Sequence, residues 1–141
     1  MPFEYRDHQA DVILVAWGAT LAEAFESGAR GLLELMVHTS SIEPATAVEI
    51  ACDADDLPLL FVAFLNEILF QRDLTGMFFR EVKVSRIEPR ESGYLLHSTA
   101  WGEPVDPHKH QVREEAKAAT YGQLGYVLEG GQHRFQCIID L

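Results

Sequence analysis

The run Val12-Ile13-Leu14-Val15-Ala16-Trp17 contains no polar residue, the pattern of a strand covered on both faces, and Gly18 breaks it. The spacing then changes. Leu21, Ala24, Phe25, Gly28, Leu32 and Met36 fall on one helical face, and Thr20 with Glu23 three residues on makes a capping box, so a helix opens at Thr20. Residues 40–44 read as a turn and residues 47–52 as a strand. Acids gather in Asp53-Ala54-Asp55-Asp56-Leu57-Pro58, where they complement the unsatisfied N–H groups of a helix start, and are assigned as caps rather than to a metal. The helix they open buries Leu57, Leu60, Phe61, Phe64, Leu65, Ile68 and Leu69, turns Asn66, Glu67 and Gln71 outward, and ends between Asp73 and Gly76.

The remainder has β texture. Residues 79–87, a turn at 89–93 and residues 94–101 predict a hairpin. The polar, proline-rich segment 102–110, with Glu103 and His110, reads as a solvated surface loop. A second hairpin runs from about Lys117 to Leu128, turns at Gly130-Gly131 and returns over 133–140. A turn centred between those glycines places Asp140 opposite about Tyr121, so that Lys117, Ala119, Tyr121 and Asp140 share one face. Because helices and strands do not alternate strictly, the expected architecture is α+β, with two helices packed on antiparallel or mixed β-sheet in two layers. A chain of 141 residues with 48% hydrophobic content fits a single domain, 1–141.

Charge changes the picture of partners. Twenty-two acidic residues against eleven basic give −11, and with no Lys/Arg block the footprint of a protein that binds nucleic acid by itself is missing. Cys52 and Cys137 sit in apolar strand-like surroundings without metal-type spacing, no signal peptide is recognisable, and apolar stretches fall short of a membrane span, so the expectation is a cytoplasmic protein with reduced core thiols and no membrane partner.

The chemistry lies at the two ends. Asp7-His8-Gln9-Ala10-Asp11 precedes the first strand, and Cys137-Ile138-Ile139-Asp140-Leu141 closes the chain with an acid beside the terminal carboxylate. Such oxygen clusters bind hard cations, so Asp11, Asp140 and the Leu141 carboxylate are the expected ligands of a divalent metal, Ca2+, Mg2+ or Mn2+ in preference to zinc. Asp7 lies close by, as ligand or as turn cap, and His8 is a candidate supporting partner.

These pieces resemble the archease family. Asp7-His8-Gln9-Ala10-Asp11-Val12 is similar to its DHTADV opening, Gly18-Ala19-Thr20-Leu21 with Glu23-Ala24-Phe25 to its GxTLxEAF helix start, and Leu65-Asn66-Glu67-Ile68-Leu69 to its LNELL helix. Trp101-Gly102-Glu103, His110 and the run from Glu115 to Tyr121 resemble the later GE, KH and EVKAxTY elements, and Ile138-Ile139-Asp140-Leu141 the terminal aspartate. Gln9, Glu114 and Gly122 depart from the pattern, so no histidine role is carried into the last loop. The resemblance implies neighbouring first and last strands, and an activator of the RtcB-type RNA ligase that joins a 2′,3′-cyclic or 3′-phosphate end to a 5′-hydroxyl. Such an activator promotes guanylylation of the ligase's catalytic histidine with GTP and divalent metal, in tRNA splicing or RNA repair. The protein would then be no enzyme itself and would meet RNA only through the ligase. Asp7, His8 and Lys117 are the candidates for ligase activation, with Lys117 contacting a phosphate or a ligase carboxylate, or pairing with Asp140. Two other classes compete: a metal-dependent hydrolase using the same acids to activate water, and a chaperone or scaffold for RNA-modifying enzymes.

Overall fold

The computed structural model of the chain describes residues 2–8 and 11–141; Met1, Gln9, Ala10 and the side chains of Asp7 and His8 lie outside the described residues. Among the described residues the elements run β1 (Phe3–His8), β2 (Asp11–Gly18), α1 (Leu21–Met36), β3 (Thr46–Ala54), α2 (Leu57–Thr75), β4 (Met77–Arg90), β5 (Gly93–Pro104), β6 (Ala118–Glu129) and β7 (Gln132–Asp140). Every strand pairing is antiparallel, and the strands divide into two sheets, β1-β2-β7-β6 and β3-β5-β4. The expected helices on antiparallel sheet are therefore present, with the sheet split in two and the helix pair shared between the halves. α1 packs on β2 and β4, and α2 on β6, β3 and β5. No helix among the described residues is long and apolar enough to cross a membrane.

Local chemistry sets the helix ends where expected. Thr20 Oγ1 accepts the Glu23 N–H at 3.1 Å, and the Glu23 carboxylate reaches back to the Ala19 N–H at 3.3 Å, which closes the capping box one residue early. Of the acids ahead of α2, Asp56 is the cap, accepting the Leu59 N–H at 2.9 Å. Gly76 ends that helix at φ +67°, a conformation a side chain would strain.

The core is an aromatic knot between the helices and the larger sheet. Phe135 of β7 lies edge-on to Phe25 of α1 at 4.9 Å and stacks on Phe61 of α2 at 5.1 Å and on Tyr126 of β6 at 4.4 Å between centroids. The knot needs close helix approach: a Cβ on Gly28 would stand 2.5 Å from the Phe61 ring. Cys137 is fully buried beside it, and burial pushes its thiol up to about 12, as it does for half-buried Cys52.

Three expectations need correction. β1 was not among the expected elements, although Phe3 and Tyr5 alternate with Glu4 and Arg6; Phe3 is buried and the Tyr5 hydroxyl donates to the Gly31 carbonyl at 2.7 Å. Asn66 does not face out. Its amide nitrogen donates to the Ala119 carbonyl at 3.0 Å while its oxygen accepts the Ala119 N–H at 2.8 Å, so a helix side chain takes the place of a neighbouring strand along the open edge of β6.

The segment 102–110 is not simply a solvated loop either. β5 continues to Pro104, and His110 is buried at 3% exposure. Its Nδ1 accepts the Asp106 N–H at 3.0 Å, which leaves the Nε2 proton to donate to Glu103 Oε2 at 3.0 Å. The same carboxylate accepts the Glu43 N–H at 2.7 Å and the Lys109 ammonium at 2.8 Å. Led by the Glu43 N–H and then by Lys109 and His110, these donors hold the Glu103 carboxyl down at about 2 against an ordinary 4.5. Polar residues here satisfy one another and tie the loop to the segment that leads into β3.

Two outcomes follow. Asn66→Ala strands both main-chain groups of Ala119, itself only 4% exposed, and should lower stability by about 1–3 kcal/mol in denaturant unfolding; a change within about 0.5 kcal/mol, normal for a surface site, would show that the clamp carries nothing. Glu103, depressed in the folded state, contributes stability that is complete above 4.5 and disappears as pH falls towards 2. Glu103→Gln should therefore flatten the fall of Tm across that window relative to the parent chain, and parallel curves would exclude the clamp as a source of acid lability.

Candidate functional site

The site is assembled by strand order. β7 lies between β2 and β6, so the beginning and end of the chain become neighbours. Val12 pairs with Ile139, and the next step along that ladder sets Asp11 beside Asp140. On one side of this pair β1 continues the row, with His8 opposite Asp11 and Asp7 opposite Val12 along the main chain. On the other side Ala118 pairs with Asp140, and the Lys117 N–H donates to the Asp140 carbonyl at 2.8 Å. Cys137 and Ile139 are directed into the core at 0% exposure, so Asp140, and Asp11 beside it, belong to the face of the sheet away from the helices. Both acids are half-buried and Lys117 is exposed. Leu141 follows directly, its side chain packed on the core.

The expected pairing of Asp140 with Tyr121 is corrected by a slip in the hairpin. From Glu129↔Gln132 to Gly125↔Gln136 the register is that of a turn centred on Gly130-Gly131, but it resumes at Thr120↔Ile138. Residues 121–124 thus oppose Cys137 alone, and the extra length folds over the outer face. There Gln136 donates to the Gln123 carbonyl at 2.8 Å, and a Cβ on Gly122 would meet Ile138 Cδ1 at 2.9 Å. The slip amounts to three residues, an odd number, so Ala118 rather than Lys117, Ala119 and Tyr121 shares the face of Asp140. Ala119 turns into the core and onto Asn66. Lys117 still adjoins Asp140 through the main chain, just before β6 begins.

Chemically the arrangement offers two half-buried carboxylates from adjacent strands, with Lys117 joined to Asp140 through the main chain. Among the described residues no three His, Cys, Asp or Glu side chains converge as a metal cluster. Carboxylate oxygens of this kind suit a hard divalent cation that completes its shell with carbonyls and waters. The side chains of Asp7 and His8, candidates from the sequence, lie outside the described residues. Asn66 is the residue that sequence reasoning missed: it fixes Ala119, two positions from Lys117, and its signal was a polar side chain between buried Val62 and Leu69 on one helical face.

Known proteins share both sequence and fold. A model of the archease protein family (MTH1598/TM1083) matches residues 3–141. The chain is 43% identical over 140 residues to the archease of Thermococcus kodakarensis, covering 99% of this chain and 98% of that one. It is 38% identical over 140 residues to the archease of Danio rerio, covering 99% and 85%. Its structure is similar to the solution structure of protein 1598 from Methanobacterium thermoautotrophicum, with a TM-score of 0.85, 32% identity and 99% of both chains covered. A Thermotoga maritima archease described as a possible chaperone shares the fold at a TM-score of 0.60 and 20% identity, over 96% and 94% of the two chains. With a family match over nearly its whole length and relatives of this identity, the chain belongs to the archease family.

Proposed function

We propose that this protein is an accessory activator of an RtcB-type RNA ligase, promoting guanylylation of the ligase's catalytic histidine, with the ligase carrying out the bond-forming chemistry. The observation that carries this reading is the ladder step that sets Asp11 beside Asp140 at one end of the larger sheet, with the main-chain N–H of Lys117 donating to the Asp140 carbonyl. Asp11, Asp140 and the Leu141 carboxylate would hold a divalent ion, which when bound supplies charge neutralisation and ligand geometry for a phosphate-bearing site. The residues themselves do the positioning. The β2–β7 ladder sets the spacing of the acids, Asn66 holds the neighbouring edge, and Lys117 offers a mobile ammonium to a phosphate or to a ligase carboxylate. Histidine guanylylation needs groups placed and charge neutralised rather than a second nucleophile, which is what such a site supplies. The net charge of −11 favours encounter with a basic, RNA-binding partner over direct RNA binding. A cytoplasmic protein acting on RNA through its partner fits these properties.

The deciding measurement is guanylylation of a purified RtcB-type ligase with GTP and Mn2+, given catalytic amounts of this protein, of Asp140→Ala, or of neither. The intact protein should give faster, multiple-turnover guanylylation, and Asp140→Ala should lose about tenfold or more of that stimulation, the scale on which changes at metal sites act. Full stimulation by Asp140→Ala would favour the chaperone or scaffold reading. Turnover of a phosphate ester by the isolated protein would favour the hydrolase. Association with the ligase should also slow as ionic strength rises, since steering by net charge is screened by salt; an on-rate indifferent to salt would remove steering from the account.

A further inference from the structure

The two-sheet division leaves a second feature, remote from the acids. β1 and β4 are each the free edge of their sheet, and α1 packs against strands of both sheets. The exposed stripe of α1 thereby floors a cleft of about 660 Å³, walled by Trp17 on one side and by Arg80, Glu81, Val82 and Lys83 on the other. That volume lies in the range of ligand sites, roughly 300–1,000 Å³.

We propose that this cleft receives an extended segment of a partner polypeptide, which adds as a strand to the free edge of β4 and places an acidic side chain between Arg30 and Lys83. The edge is receptive. The Val84 N–H turns away from β5 and donates to the Glu26 carboxylate of α1 at 2.7 Å, so a group from another element already occupies one rung of the missing ladder. Val82 stands two residues earlier with no register shift between, Val82↔Ala100 and Val84↔Ser98, so its N–H and C=O point into the cleft by the same alternation. Walls on both sides keep the edge of another folded sheet away, and a single extended segment is what fits.

The charges specify the occupant further. Glu23 and Glu26 are committed to main-chain N–H groups of Ala19 and Val84, and the Arg80 guanidinium donates to the Ser40 and Ile42 carbonyls at 3.4 and 3.2 Å. Among the described residues Arg30 and Lys83 have neither an ion pair nor a side-chain hydrogen bond, so on a chain of net −11 they are the cleft's available cations. Glu23, Glu26 and Glu81 in the same lining oppose a compact polyanion such as a nucleotide phosphate. A peptide supplies a neutral backbone for the edge and one carboxylate for the cations.

The test is NMR titration of the full 15N-labelled chain with a blocked heptapeptide of alternating threonine and valine around a central glutamate. Its central-lysine counterpart, the glutamate peptide N-methylated on alternate amides, and inorganic pyrophosphate serve as further probes. The glutamate peptide should give saturable shifts at the amides of residues 80–84 and at the Trp17 indole, and N-methylation of the pairing edge should abolish them. Arg30→Glu with Lys83→Glu, both unpartnered positions, should weaken the glutamate peptide by about tenfold and strengthen the lysine peptide. No shifts at millimolar peptide, equal binding of the N-methylated form, or displacement of the peptide's shifts by pyrophosphate would each overturn the proposal, the last in favour of an anion site.

Discussion

The ring of Phe135 is the contact on which the other relationships in this molecule depend. It meets Phe25 of α1, Phe61 of α2 and Tyr126 of β6, so a single side chain on β7 locates both helices and the neighbouring strand. Aromatic pairs of this kind contribute about 0.5–1.5 kcal/mol each beyond the area they bury. More important is where they act. β7 is the interior strand that joins the two chain ends, and the same strand carries Asp140 at its far end. Packing midway along β7 and the ladder with β2 along its length fix where its far end lies.

Splitting the strands into two sheets solves one problem and creates another. Each helix buries more of its circumference by packing on both sheets, which is why nearly the whole of α1 apart from Glu23 and Arg30 is wholly or partly buried. The split also leaves more strand edges than a single sheet would have, each with unpaired main-chain groups. Side chains from the helices answer this. Asn66 of α2 pairs with both groups of Ala119 on β6, and Glu26 of α1 accepts the Val84 N–H of β4. Polar residues on the helices thus act as short substitutes for strands, one holding the edge beside the acidic pair and the other leaving the rest of its edge open to the cleft.

The periodic parts of this architecture were legible in the residues. Thr20 and Asp56 cap the helices they were expected to open, and the Gly130-Gly131 turn centres its hairpin as predicted. What escaped was set by contacts distant in sequence. Asn66 read as solvent-facing because helical phase alone does not reveal a strand edge lying against it. Glu103 and His110 read as solvated because composition does not show that polar groups satisfy one another, and β1 is too short for its alternation to stand out. The adjacency of β2 and β7 followed the expectation of neighbouring strands from the two chain ends, whereas the faces along β6 depended on residues 121–124, where Gly122 and Gly125 were the bulge signal that the hairpin reading passed over.

That slip makes the segment a buffer for chain length. Thr120 pairs with Ile138 and Gly125 with Gln136, so residues five apart share a face, and Gln123 at φ +57° stands where strict alternation breaks. The phase in which Ala119 faces the core is set by its own pairing with Ile139 and by the Asn66 clamp, independently of the chain between. A longer or shorter stretch would change how much chain covers Ile138 and leave the two halves of β6 on their ladders. The outer face of this sheet can therefore be remodelled by insertion or deletion at residues 121–124 while the end of β7 that carries Asp140 keeps its place.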